Sequence, residues 1–159
     1  MRIPTLNRRH GVTLVEVAII QPVCFTLLFA IFLGGILIFN YQEVAWLSRE
    51  ASRRVSVRGN QYSQQTGKAS PTEAQILQNI ILPLVSAMDT SKLTVQVFLI
   101  DGTSGTATAW DSSTKAVYVI QPDGSKVYNK VRVHIVYAST LLGPTPINLD
   151  AVSEVPMCF

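Results

Sequence analysis

The sequence predicts a membrane-anchored α+β protein, in which a long N-terminal helix continues into a small domain with a second helix and an antiparallel sheet of three or four strands. Three observations carry this prediction. Residues 17–39 contain no charged side chain. Residues 40–58 repeat apolar side chains at helical spacing, and from residue 92 onward the apolar period changes to two. With 159 residues in all, the chain has room for one modest domain beyond the anchor.

The uncharged run is long enough to cross a bilayer. Its 23 residues reach about 34 Å as a helix, and the hydrocarbon core is about 30 Å thick. The apolar run of a cleaved secretory signal is about 7–15 residues long and ends at a small-residue site, and neither property fits here. We therefore expect a transmembrane segment; an unusually long signal or a buried core helix is the alternative.

Basic residues set the expected orientation of this segment. Arg2, Arg8 and Arg9 lie just before the run. Positive charge next to a membrane span tends to stay in the cytoplasm. We therefore expect the N-terminus inside and residues 40–159 outside.

The helix is predicted to continue beyond the run, from residue 12 to residue 58. Neither glycine nor proline interrupts it before Gly59, and Tyr41 and Trp46 follow the run where aromatic side chains collect at a membrane interface. Its apolar stripe, which should cover the domain, consists of Val44, Leu47, Ala51 and Val55.

A basic cluster near the end of this helix allows two interpretations. It consists of Arg49, Arg53, Arg54 and Arg58. These side chains either meet anionic lipid headgroups or form a solvated helix face in which Glu50 and Arg54 pair at i,i+4. We favour the solvated face.

A second helix is predicted after a polar loop at residues 60–69. Ser70 is a suitable N-cap, Pro71 fits the first helical position, and Glu73 completes a capping box. Pro83 should kink or break this helix. Its apolar side consists of Ile76, Ile80 and Ile81.

The strands follow from period-two patterning. We expect strands at residues 92–100 and 106–110, a hairpin of residues 115–121 with 127–138 around Pro122-Asp123-Gly124, and an irregular tail with a short strand at 151–155. In the last hairpin strand one face should be buried: Val131, Val133, Ile135 and Tyr137. The other face carries Lys130, Arg132 and His134.

The N-terminal residues resemble those of a known family. Arg8-Arg9-His10-Gly11 followed by VTLVE resembles the processing site of type IV prepilins, in which a prepilin peptidase cuts after the glycine and leaves a glutamate as the fifth residue. VEVAIIQP, with Pro22 six residues after Glu16, is similar to the opening of TadE-like pseudopilins of tight-adherence pilus systems. The resemblance continues further along the chain. The basic stretch after the membrane helix is similar in WLSREASRRVSVRG, and the closing strand and tail are similar in VRVHIVY and residues 153–157.

The resemblance implies a domain organisation and a function. Residues 1–11 would be a leader cut between Gly11 and Val12, 12–39 the transmembrane segment, 40–58 the amphipathic continuation, and 59–159 an extracytoplasmic domain. The chain would be a non-enzymatic minor pilin in assembly of the pilus or a related secretion filament. Its partners would be a prepilin peptidase, other pilin-like subunits and the assembly platform of the bacterial inner membrane.

Four residues of the membrane segment are expected to have a function: Glu16 in assembly, and Pro22, Ala30 and Gly34 in helix packing. Pro22 should bend the helix, and Ala30 with Gly34 forms a small-xxx-small pair that lets another helix approach. Glu16 could pair with the new α-amine of Val12, within one chain or between neighbours. The alternative is an unpartnered carboxylate that snorkels at the membrane edge.

The sequence offers little for catalysis or for cofactor, metal or nucleic-acid binding. His134 is the only histidine beyond the predicted leader, and two cysteines, Cys24 and Cys158, cannot form a metal site alone. Cys158 is either free or paired between chains. Without residues 1–11 the chain has ten basic and ten acidic side chains, 13 less 3 against 10, so nucleic-acid binding is not expected. The other functional hypothesis is an uncleaved, signal-anchored extracytoplasmic binding domain.

Overall fold

The computed structural model describes residues 9–86, 88–111, 116–141 and 143–158. Over these residues the helices are α1 (Arg9–Ser56), α2 (Asn60–Thr66) and α3 (Glu73–Ile76), and the strands are β1 (Leu93–Ile100), β2 (Ala107–Ala109), β3 (Tyr118–Ile120), β4 (Lys126–Tyr128), β5 (Lys130–Ser139) and β6 (Ile147–Pro156). The chain divides into two compact units, Met1–Leu37 and Ile38–Phe159, and α1 contributes to both. The predicted α+β class is confirmed.

The main sheet is antiparallel, with strand order β2-β1-β5-β6. β1 and β5 are the two inner strands, and along β5 buried side chains alternate with half-buried ones, so one face of the strand lies toward the core. It pairs with β6 along its whole length, from Lys130 opposite Pro156 to Ser139 opposite Ile147. β3 and β4 form a separate two-stranded sheet.

The core of the second unit lies between the inward face of the sheet and one stripe of α1. Ser52 of α1 lies against Ser153 of β6, with 2.8 Å between the two hydroxyl oxygens, and Ser153 is paired with Val133 on the inward face. The predicted stripe and the predicted sheet face are both buried, namely Val44, Leu47, Ala51 and Val55 with Val131, Val133, Ile135 and Tyr137. The apolar stripe of the helix and the apolar face of the sheet therefore form one apolar layer.

The prediction that Ser70 caps the second helix is wrong. Thr72 is the N-cap: its hydroxyl accepts from the Gln75 N–H, and the Gln75 side chain accepts from the Thr72 N–H. Ser70 is buried and donates to the carbonyl of Arg58 at 3.3 Å. Glu73, the predicted partner of Ser70, instead accepts from the Val97 N–H of β1 at 3.1 Å. Tertiary partners thus displaced the local capping interaction.

The break near Pro83 is spread over several residues. After α3 the chain forms a π-helical turn, Leu77–Ile81, and then a 3-10 turn, Leu82–Leu84. Proline lacks an N–H and its ring crowds the preceding turn, which favours the change from α-helical to π-helical and then 3-10 hydrogen bonding around residue 83. The predicted apolar side is nevertheless buried: Ile76, Ile80 and Ile81.

Three further expectations are corrected by the structure. Residues 60–66, predicted as loop, form α2, which ends where Gly67 takes φ +65° and donates to Ser63. The tail is a ten-residue strand, β6, because its prolines lie at or beyond the ends of the ladder. The predicted hairpin forms only as β3 with β4; Asn129 separates β4 from β5, which joins the main sheet. Residues 112–115 lie outside the described residues.

Candidate functional site in the long helix

In the first unit, the described part of α1 has no buried side chain. Residues 13–32 are exposed and residues 33–37 are exposed or half-buried. By length and composition, the helix over Thr13–Ser56 is able to cross a membrane. Its exposed large apolar side chains include Leu14, Val17, Ile20, Phe25, Phe29, Ile31 and Phe32. Such a surface is unfavourable in water, and a bilayer or other apolar helices would cover it.

Glu16 lies on this helix next to the uncharged run. Its side chain is exposed, and no ion pair joins it to another described residue. Residues 12 and 16 both lie in α1 at i,i+4 spacing. Any partner of the carboxylate would therefore come from the terminal turn or from another molecule.

The predicted processing site falls at the start of α1. The helical backbone begins at Arg9 and so includes Gly11 and Val12. Residues 1–8 of the predicted leader lie outside the described residues. A peptidase that acts on extended backbone would first have to unwind this turn, and the processing function of Gly11 and Val12 stays a prediction.

Pro22 lies inside α1 without ending it. Proline has no N–H to donate to the carbonyl four residues before, at Ala18. One turn later the Thr26 hydroxyl donates to the Pro22 carbonyl at 2.8 Å. The Thr26 hydroxyl therefore reinforces the turn after the proline, and it reaches the carbonyl of Pro22 itself, not the Ala18 carbonyl that loses its helical donor.

Ala30 and Gly34 leave a shallow site on the surface of the helix. Ala30 is exposed and Gly34 is half-buried. A Cβ on Gly34 would meet no described atom within 4 Å. The backbone at Gly34 is therefore open to close approach by a second helix.

The second half of α1 contains two features that the sequence analysis missed. The first is Glu43, which is buried and whose Oε1 accepts from the Ser86 N–H at 2.9 Å and from the Ser86 hydroxyl at 3.2 Å. The carboxylate joins α1 to a segment 43 residues later. In the sequence, the only sign of this contact was a glutamate shortly after an apolar run, and no local pattern identifies Ser86 as its partner.

The second missed feature is a row of buried serines beside the apolar stripe. Each donates its hydroxyl to a carbonyl three residues earlier, at 2.8–3.1 Å: Ser48, Ser52 and Ser56. These side chains are small and their hydroxyls are satisfied within the helix, so the sheet can approach closely without an unpaired polar group. Their spacing of four residues was the signal in the sequence.

The charged and reactive residues outside the core fit the solvated interpretation. Arg54 and Glu50 form the predicted i,i+4 pair, with 2.7 Å between Nε and Oε1, and Arg49 and Arg53 are exposed. His134 is half-buried on the outward face, with Nε2 3.9 Å from Asp150 Oδ2. Neither cysteine, Cys24 or Cys158, forms a disulfide.

The comparisons with known proteins concern this same helix. Residues 11–53 match the family model described as TadE-like protein. The chain is TadE-like along its long helix. The match begins at Gly11 and covers both the exposed part of α1 and most of the part that covers the sheet, whereas the strands lie outside it. No curated protein and no solved structure matches the chain.

The match spans 43 of the 159 residues and supports the resemblance to TadE-like proteins seen in the sequence. The TadE-like segment contains Glu16, Pro22, Ala30 and Gly34. The functions of these residues stay predictions.

Proposed function

We propose that this chain is a minor pilin or pseudopilin that takes part in assembly of a tight-adherence pilus or a related secretion filament. The observation that carries the proposal is the division of one helix into two environments. Its TadE-like first part exposes an uncharged surface with Glu16 at one end, and its second part is buried against a sheet. In this proposal the apolar part of the helix serves assembly and the second part carries the folded domain outside the membrane.

In this proposal Glu16 binds the α-amine that cleavage before Val12 would create. An α-amine carries a positive charge near neutral pH. Within one chain the pair would rest on a terminal turn that frays. Because of this fraying, we favour a pair between chains, in which the amine of one subunit meets Glu16 of its neighbour. Such a pair would stabilise one register of the two helices over the others. The prepilin peptidase, other pilin-like subunits and the inner-membrane assembly platform are the proposed partners.

Intact-mass measurement of the membrane-extracted chain tests the processing step. We expect a mature chain that starts at Val12, and full-length chain in the Gly11→Val variant, because a side chain at the cut site would crowd the backbone bound by the peptidase. Gly35→Val is the matched control, since a Cβ at Gly35 meets no described atom within 4 Å. Shortening of the Gly11→Val variant by eleven residues would refute the processing hypothesis.

A second variant tests assembly separately from cleavage. Glu16→Val should still be cleaved, while its co-isolation with other pilin-like subunits and its surface adhesion should fall. Glu50→Ala is the control, because this glutamate lies on the same helix in a solvent-exposed pair with Arg54. If the Glu16 variant assembles and adheres like the parent, the intersubunit pair must be abandoned.

The second candidate is an uncleaved, signal-anchored binding domain, in which residues 1–11 stay joined to α1. The same mass measurement distinguishes the two functions, since the uncleaved anchor retains the full-length mass in wild-type cells.

A further inference from the structure

Hydrogen bonds to Glu43 show which residues lie at the end of the second unit where α1 enters it. Glu43 accepts from the backbone and hydroxyl of Ser86. At the opposite end, the Cys158 N–H donates to the Ser56 carbonyl at 3.2 Å. α1 and β6 therefore run in the same direction through the core, and the segment around Ser86 lies at the end where the chain enters the unit.

A loop after β5 lies at this same end. Lys92 Nζ donates to the Thr140 hydroxyl at 2.9 Å, and Leu93, the first residue of β1, is paired with Tyr137 near the end of β5. β6 starts here as well, with Ile147 opposite Ser139. We call residues 82–86 together with Leu141 and Ile147 the Glu43 rim.

The Glu43 rim exposes apolar side chains that the core does not cover. Leu82, Leu84 and Val85 are half-buried and Pro83 is exposed. Leu141 is 37% exposed.

Ile147 shows most clearly that the core stops before the rim. Its pairing with Ser139 places it on the inward face of the sheet, yet it is 38% exposed, whereas Leu149 on the same face is 8% exposed. The apolar face of the sheet thus continues past the core to the rim.

The position of Glu43 along α1 indicates what covers this surface. The uncharged run ends at Phe39, four residues earlier, which is about 6 Å along a helix. The polar headgroup layer on each side of a bilayer is about 5–8 Å deep, half of the difference between the thickness of the whole bilayer and that of its hydrocarbon core. If the run spans the membrane, the residues bonded to Glu43 lie within the depth of that layer.

We propose that the Glu43 rim rests on the lipid surface and is a second membrane contact beside the spanning helix. The contact does not use the arginine cluster, because Arg49 follows Phe39 by ten residues, about 15 Å along the helix, and Arg53 by about 21 Å. Asp89, exposed near Lys92, keeps the contact at headgroup level because a charge would not enter the hydrocarbon core. The inference rests on the membrane anchor alone, not on cleavage or filament assembly.

The test uses the full chain reconstituted in phosphatidylcholine vesicles. In a Cys24→Ser, Cys158→Ser background, single cysteines are introduced by Leu141→Cys or Ile147→Cys and carry an environment-sensitive fluorophore. The controls are Val152→Cys, five residues further along β6 and 53% exposed, and Ile120→Cys on β3, 63% exposed. Quenching is measured with nitroxide-labelled lipids.

We expect labels at positions 141 and 147 to be quenched at least twofold more than labels at positions 152 and 120. Adding Leu141→Glu should remove at least half of the lipid quenching at position 147. Equal quenching at all four positions would overturn the proposal. Shielding at 141 and 147 that grows with the protein-to-lipid ratio, without lipid quenching, would show a protein interface and also overturn it.

Flotation of the same vesicles reports on the anchor independently. A chain that floats but shows no selective quenching refutes the rim contact and leaves the anchor and the proposed function intact. A chain that does not float refutes the anchor and with it the rim contact.

Discussion

Replacement of Ile135 by alanine tests the register of the central strand and the layer that it forms with α1. Ile135 is fully buried, and its pairing places it between Val95 of β1 and Ala151 of β6. The change deletes three buried carbons at a site enclosed by strands on both sides. Transfer alone costs about 2.4 kcal/mol at about 0.8 kcal/mol per buried methylene, and the remaining cavity brings the expected loss to about 2–5 kcal/mol.

The measurement is urea unfolding of the full chain in a non-ionic detergent, followed by the fluorescence of Trp110 in a Trp46→Phe background. This indole is 4% exposed and its Nε1 donates to the Pro71 carbonyl at 2.8 Å, so its emission reports on the folded domain. With an m-value of about 1.5 kcal/mol/M, a loss of about 3 kcal/mol lowers the midpoint by about 2 M.

Two outward positions serve as controls. Val152 is 53% exposed and is paired with His134, which is half-buried on the same outward face. Val152→Ala and His134→Ala should each change the free energy of unfolding by no more than about 0.5 kcal/mol. Losses at these positions equal to that of Ile135→Ala would show that the assigned register is wrong.

Three further predictions concern a cap, a glycine and a carboxylate. Thr72→Ala should lower the free energy of unfolding by about 1 kcal/mol through loss of the N-cap, while Thr66→Ala, in an exposed last turn, should change it little. Gly102→Ala should cost about 1–3 kcal/mol because its Cβ would clash with the carbonyl oxygen of Tyr128. Hydrogen bonds from the N–H groups of two following residues, Ser104 first, hold the pKa of Asp101 below its ordinary 3.8, so this stabilisation is present above that value and is lost as the pH falls through the folded pKa. Unfolding of Asp101→Asn should therefore depend less on pH below about 5 than unfolding of the parent, and an equal dependence would contradict the assignment.

Patterns carried by neighbouring residues were predictable from the sequence. The uncharged run, the stripe that contains Leu47, and the alternation around Ile135 each depend on residues within one or two turns or one strand, and helix and strand periods convert them directly into faces. The exposed first half of α1 and the TadE-like segment follow from the same local pattern.

Pairings between distant residues were decided only by the tertiary structure. Ser70 matches the local pattern for a helix cap, yet its hydroxyl bonds to Arg58 and leaves the cap to Thr72. The tail became a full edge strand because β5 offered ten residues of unpaired backbone, which outweighs a weak local preference. Glu43 accepts a hydrogen bond from Ser86, which lies 43 residues later in the chain. Such contacts depend on which surfaces the fold brings together, and no periodicity within the sequence contains that information.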